Sequence, residues 1–245
     1  MLAVLKALAG HPDGVSLDAL ARTVGAPKSS VHRALATLTR TGLAQQTARG
    51  QYVLGTEFVR LAFAHHEARN DVQLVTPCLE ELAGTLGEAA HYAELEGAEV
   101  IYRAKVRPPG EGIQMTSVVG GRNPAYCTGV GKALLAACLA PDATPDSLAE
   151  CFGPFQARTP RTFTDPAALL DELRATAARG YAIDDQESEP GVNCVAFPIY
   201  PASPSSPSGA ISVSALTQRL PMDELEGRVG EIREIITRHL GPVLR

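Results

Sequence analysis

The spacing of apolar residues changes along this chain, from every third or fourth position near the start to every second position after residue 88, and one compact layer cannot satisfy both periods. Two unlike folding units follow. Leu2, Leu5 and Leu8 have helical spacing, which Gly10, Pro12 and Gly14 interrupt. Ser16 is a suitable N-cap for a second helix over Leu17–Val24, with Leu17, Leu20, Ala21 and Val24 on one face. Gly25 supplies a turn, and Pro27 fits the first turn of a third helix that runs through Val31, Leu35 and Leu38 to Gly42. Short strands are expected at Leu43–Gln46 and Gln51–Leu54, around Thr47–Gly50. Three short helices and a hairpin make a winged helix-turn-helix pattern over residues 1–56.

A linking segment over 57–70 follows, with helical spacing from Glu57 to His66, and Val72–Leu86 reads as another helix. Residues 71–245 form the second unit. Alternation at Ala89–Leu95, Val100–Ala104, Ile113–Val119, Val192–Ile199 and Ala210–Leu216 predicts a mainly antiparallel sheet. Helices are expected at Gly131–Cys138, Ala167–Arg179 and Met222–Leu240, and Pro201–Gly209 reads as a low-complexity, mobile connector. The fold class is therefore α+β, a winged helix-turn-helix unit followed by a helix-flanked antiparallel sheet.

Charge divides in the same place. Residues 1–60 hold seven Lys and Arg against Asp13, Asp18 and Glu57, a net +4, and the remainder carries −9, which together make the overall −5. A basic head on an acidic body points to a polyanion met by the head alone. Five scattered cysteines argue against a disulfide framework and a zinc site alike, so no metal or cofactor is expected. No apolar run reaches the ~18–20 residues that span a bilayer, and Gly10, His11, Pro12 and Asp13 cut short any signal-peptide pattern. The expected location is the cytoplasm, with no membrane partner.

Lys28, Ser29, Ser30, His32 and Arg33 crowd the first two turns of the third helix, where a recognition helix lowered into a major groove meets DNA. Ser and Lys donors with helix N-terminal amides suit phosphates, and Arg33 suits guanine O6 and N7. Arg49 at the hairpin tip reads as a wing arginine for a phosphate or a narrow minor groove. Pro27 and Tyr52 complete the expected DNA-binding set. Polar residues on a lone surface helix are more often merely solvated; here helix, turn, wing and local charge agree, and double-stranded operator DNA is the expected partner.

Leu17-Asp18-Ala19-Leu20-Ala21, Pro27 to Leu35 and Gly50-Gln51-Tyr52-Val53-Leu54-Gly55 resemble the head of the IclR family of bacterial transcription regulators. Cys127 to Leu135, Gly180 to Glu187, Gly191 to Ala196 and Ile211 to Ser214 resemble that family's effector-domain motifs, in order. The resemblance implies a regulator and not an enzyme. It implies a GAF-like C-terminal domain that binds a small carboxylate-bearing or aromatic acid, in a dimer or a dimer of dimers. In the family Met1 would stand a few residues further in.

The residues suit such a site. If Gly129–Lys132 opens a helix, its glycines permit close approach of a ligand and its first amides form an anion site. Tyr126 and Ala133 stand where a phosphate loop needs Gly and Ser or Thr. Ser212 and Ser214 face one side of a strand, a pair of hydroxyls suited to a carboxylate. Asp184, just after an apolar strand end, can accept from a ligand hydroxyl or amine, and Cys194 can form a small soft wall. Alone, each has a plainer reading: solvated serines, a turn aspartate, a packed cysteine. The contacts the resemblance implies are Gly129, Val130, Asp184, Cys194, Ser212 and Ser214, with Met115 as an apolar wall. Asn123-Pro124-Ala125-Tyr126 departs from the family, and makes the pocket more polar at Asn123 and roomier at Ala125. The alternatives are a redox sensor acting through Cys127 and Cys194, and an enzyme with Cys194 as nucleophile beside His91 and Asp184.

Overall fold

A computed structural model of the chain describes residues 1–67, 70–108, 117–203 and 206–241, which form two compact units, Met1–Asn70 and Asp71–Arg245. The first unit contains α1 (Leu2–Ala9), α2 (Leu17–Val24), α3 (Lys28–Arg40), β1 (Ala44–Gln46), β2 (Tyr52–Leu54) and α4 (Thr56–Glu67). Val4, Leu8, Leu20, Val31, Leu35 and Leu38 close its core. Ser16 caps α2 by accepting the Ala19 N–H at 3.2 Å, and Gly25 ends that helix at φ 66° in the left-handed region, as expected. Pro27 takes the cap position of α3 with an extended ψ of 140°, one residue ahead of the helix rather than inside its first turn. β1 and β2 pair antiparallel, and Val15 adds a bridge by exchanging backbone hydrogen bonds with Tyr52 at 3.0 and 2.8 Å. That bridge anchors the hairpin to the turn before α2.

The second unit comprises α5 (Asn70–Leu86), β3 (Ala89–Glu96), β4 (Glu99–Val106), β5 (Arg122–Pro124), α6 (Gly129–Ala137), α7 (Pro145–Phe152), α8 (Pro166–Arg179), β6 (Ala182–Asp185), β7 (Val192–Ile199), β8 (Gly209–Leu216), α9 (Met222–Gly227) and α10 (Val229–Leu240). Its strands form one antiparallel sheet in the order β5-β4-β3-β8-β7-β6. Alternation sorts the two faces. Val195, Phe197, Ile211 and Val213 pack on α5, α9 and α10, whereas Ala93, Ala196 and Ala210 face α6, α7 and α8. The second face is lined by alanines, so α6 lies close to the strands. In β4 an extra residue, Arg103, breaks the alternation: His91 pairs with Lys105, yet Ala93 pairs with Tyr102. The bulge thereby puts Tyr102 and Lys105 on the same face as His91.

Several expectations need correction. Met222–Leu240 is two helices, broken at Arg228, where Gly227 and Gly230 weaken helix propensity on both sides. Most of the strand expected at Ile113–Val119, with Met115, lies outside the described residues, and Ser117–Val119 is irregular. Asp184 sits within β6 rather than beyond a strand end, and Gly209 opens β8 rather than closing the connector. α7 and β5 were not anticipated; α7 starts with a capping box between Thr144 and Ser147.

The glycines of α6 also have a different use. A Cβ on Gly131 would lie 2.1 Å from the Ala125 carbonyl oxygen, so this glycine lets the helix pass the backbone, while a Cβ on Gly129 would lie 2.7 Å from Cys194 Sγ. Alanine at 131 gains about 1 kcal/mol of helix propensity, less than the overpacking cost. Because the clash is with backbone, the cost lies toward the upper end of the ~1–3 kcal/mol of overpacking, and Gly131→Ala should destabilise the second unit by a net of about 2 kcal/mol, measured as a lower urea midpoint by circular dichroism.

Candidate functional site

In the first unit, Pro27, Lys28, Ser29, His32, Arg33 and Arg49 are exposed, while Ser30 and Tyr52 are half-buried. A groove of about 390 Å³ between α3 and the hairpin is lined by His32, Ala36, Thr39, Arg40, Gln46 and Tyr52. His32, Ala36 and Arg40 form a stripe at four-residue spacing, the face of α3 turned toward the hairpin. Arg33 lies one position round the helix and does not line this groove. Lys28 Nζ pairs with Asp18 Oδ1 at 2.8 Å, an exposed pair that a phosphate can readily displace. The structure thus gathers His32 and Tyr52 with Arg40 and Gln46, two residues the sequence reading passed over. Arg40 was hidden as one more basic residue at a helix end.

In the second unit a cavity of about 40 Å³ lies between the sheet and the start of α6. Its lining includes Gly129, Val130, Asp184, Cys194, Ser212 and Ser214, every described member of the expected set. Sheet register explains the gathering. Asp184, Cys194 and Ser214 are successive partners across β6, β7 and β8, and Ser212 is paired with both Ala196 and His91. Thr128 caps α6 by accepting the Gly131 N–H at 3.2 Å, so the Gly129 and Val130 amides have no partner within the helix.

Two charged side chains are buried here, Asp184 in the cavity wall and Lys132, which does not line it. Asp184 Oδ1 accepts the backbone N–H groups of Glu187 at 2.7 Å and Ser188 at 3.3 Å, which fixes the turn after β6. Burial pushes its carboxyl up to about 6, against the pull of those amides and Lys132. Lys132, fully buried, reaches Glu187 at 2.6 Å and Glu172 at 3.2 Å, and lies 5.2 Å from the centre of the Phe163 ring. Sequence reasoning missed this lysine; the available signal was a lone cation inside the apolar run Val130-Gly131-Lys132-Ala133-Leu134.

The thiol readings find no support in this geometry. Cys127 and Cys194 are buried, and burial above all pushes both thiols up to about 12, so they stay protonated at neutral pH, the opposite of a reactive cysteine. A Cys194–His91–Asp184 triad is absent too: His91 Nε2 meets Ser117 Oγ at 2.9 Å, and Asp184 is held by backbone amides.

Comparison with known proteins bears on the whole chain. The IclR helix-turn-helix model matches residues 1–48, and the model of the bacterial transcriptional regulator IclR C-terminal domain matches residues 66–238. The chain belongs to the IclR family. It is 34% identical over 229 residues to the Pca regulon regulatory protein of Pseudomonas putida, covering 93% of this chain and 76% of that one. The crystal structure of Thermotoga maritima IclR superposes with a TM-score of 0.73 at 26% identity, over 97% of this chain and 96% of its own. An IclR homologue from Microbacterium hydrocarbonoxydans, solved with 4-hydroxybenzoate, has the same fold at 23% identity, with a TM-score of 0.76 over 97% and 99% of the two chains.

As an IclR-family protein the chain is a DNA-binding transcriptional regulator and not an enzyme. Among the described residues no helix is long and apolar enough to cross a membrane. Unforeseen members of the cavity wall are Tyr102, Ser117, Thr128, Ser188, Glu189 and Val192, together with His91, which the sequence suggests only as a catalytic partner. The strand Ala89–Leu95 already placed His91 on the face of Ala89 and Ala93.

Asp184 carries a pH signature. Its pKa is raised from 3.8 to about 6 in the folded chain, so the stability it contributes is complete below about 3.8 and lost as pH rises through about 6. Asp184→Asn, which keeps an acceptor for the amides, should flatten the fall in stability between those pH values by roughly 2–3 kcal/mol. Urea midpoints at the two ends of the window measure it, and an unaltered fall would assign the titration elsewhere.

Proposed function

We propose that this IclR-family regulator binds a roughly palindromic operator as a dimer or dimer of dimers, and that a small carboxylate-bearing or aromatic acid in the cavity alters that binding. The observation that carries the reading is the cavity wall: two hydroxyls, Ser212 and Ser214, face the uncapped amides at the start of α6 on the acidic, non-DNA unit. Hydroxyl and amide donors at a helix N-terminus suit an anion. The 4-hydroxybenzoate in the Microbacterium homologue is an acid of this class. The cavity, about 40 Å³, is small beside a ~150 Å³ apolar cavity that binds benzene, which favours a compact ligand. In this reading a wall moves to admit an aromatic acid, and such movement is what lets a ligand prefer one arrangement of the protein over another.

In this reading residues 1–56 are the DNA-binding domain, 57–70 the linker and 71–245 the effector domain. Each head reads one half-site, with half-site centres a helical turn or a multiple apart, and the effector changes head spacing through the segments from Glu57 to Leu86. Arg33 reads bases, and Pro27, Lys28, Ser29, Ser30, His32, Arg49 and Tyr52 hold the backbone and the wing in register.

Two experiments test the halves separately. Arg33→Ala should cost ~1–3 kcal/mol of discrimination between operator and random DNA, whereas Arg49→Ala should weaken both and flatten the salt slope by about one unit. Electrophoretic shifts across a salt series give both numbers, and equal loss on both DNAs for Arg33→Ala would remove its base-reading role. For the other half, the double variant Ser212→Ala, Ser214→Ala should abolish the thermal shift that a panel of small carboxylic, aromatic and sugar acids produces, while operator binding persists. A shift that survives the double variant would place the effector elsewhere.

A further inference from the structure

His91, on the β3 side of the cavity, carries a buried polar atom for which the serines and helix amides give no account. His91 is 2% exposed and lines the cavity, and its Nδ1 is buried without a hydrogen-bond partner among the described residues. A buried ring nitrogen left in that condition is costly, and such groups mark places where a ligand completes the bonding.

The other ring nitrogen tells which form of the imidazole is present. Nε2 lies 2.9 Å from Ser117 Oγ, and Lys105 Nζ lies 2.9 Å from that same oxygen and 2.7 Å from the Ser117 carbonyl. An ammonium group only donates, so Ser117 Oγ accepts from Lys105, and the serine hydrogen finds its acceptor at Nε2. The single hydrogen of the neutral ring is then on Nδ1. The opposite tautomer would make Ser117 Oγ accept twice and leave the serine hydrogen without this acceptor, whereas Nδ1 is without a partner in either form. The charged form is disfavoured as well: burial, then Lys105 and Arg107, hold the imidazole far below its usual range, at about 3. Tyr102 packs edge-on against the ring at 5.6 Å and limits its rotation.

Position gives the group its use. The first residue of α6 sits over Cys194 and Ala196 on β7, where a Gly129 Cβ would lie 2.7 Å from the Cys194 sulfur and 3.5 Å from the Ala196 Cβ. His91 is on β3, beyond β8, two strand spacings or about 9–10 Å from Ala196, and Ser212 stands between as the direct cross-strand neighbour of both. We infer that Lys105 and Ser117 hold His91 as its Nδ1–H tautomer, and that this N–H selects effectors carrying a second acceptor oxygen, keto or phenolic, remote from the carboxylate. The inference rests on the reading of the cavity as an acid site and names the kind of acid that the site prefers.

The test uses the full chain and two matched pairs, 4-oxopentanoate against pentanoate and 4-hydroxybenzoate against benzoate, with binding measured by calorimetry. In at least one pair the oxygen-bearing acid should bind about tenfold more tightly. His91→Phe, which keeps a ring against Tyr102, should erase that preference and leave the oxygen-free acid within about threefold of its wild-type affinity. Long-range proton–nitrogen spectra of the unaltered protein should show hydrogen on Nδ1, and Ser117→Ala should release the ring to a tautomer mixture. A ring protonated at Nε2, or a preference that survives His91→Phe, overturns the inference. If the acids bind without preference and lose binding in the double serine variant, the inference fails and the acid site stands; if none binds, both fall together.

Discussion

The close approach of α6 to its sheet is the constraint on which the effector unit depends. A helix normally stands off a sheet by the length of the side chains between them, and a ligand site at its N-terminus would then lie far from the strand groups. Here the intervening residues are Gly129, Ala93, Ala196 and Ala210, so the first amides of α6 reach the same small space as Ser212, Ser214 and Cys194. Low side-chain volume at this contact costs some apolar burial, which the opposite face offsets with Phe197, Ile211, Val213, Leu79 and Ile232. One face of the sheet supplies stability, and the other leaves a cavity.

That arrangement also explains the buried charges. A helix brought so near the strands carries Lys132 inside with it, and an unpaired ammonium there would be untenable. Glu187 and Glu172 provide its counter-charges from the turn after β6 and from α8, while Asp184 fixes the same turn by accepting its amides. The network therefore joins three elements around the start of α6. Any motion of the cavity wall on the β6 side must carry these charges along or separate them, so the position of the wall has an electrostatic component besides its packing.

The DNA-binding unit was almost fully legible in the sequence. Its helices are short and amphipathic, its turns depend on Ser16 and Gly25, and each of these signals acts within a few residues. The exception is the groove formed by Arg40, Gln46 and Tyr52, which exists only because the hairpin folds back toward α3. In the effector unit the strands and their faces were legible because alternation is a local property. The helix break at Arg228, the short strand Arg122–Pro124 and the capped helix over Pro145–Phe152 were not, because each depends on small local preferences that neighbouring elements decide.

Read alone, the residues pointed to a basic winged head and a mainly antiparallel second unit, and the family resemblance supplied the expected set Gly129, Val130, Asp184, Cys194, Ser212 and Ser214, since motif, period and charge are written in the order of the chain. Tertiary structure decided what those residues meet. Strand register set Ser212 opposite His91, and a one-residue bulge at Arg103 turned Tyr102 and Lys105 to the same side. Folding also made Lys132 a buried cation rather than a surface one, and buried the Cys127 and Cys194 thiols. The physical reason is that hydrogen-bond partners and desolvation are properties of neighbours in space, and those neighbours here come from strands and helices up to a hundred residues or more apart in the chain.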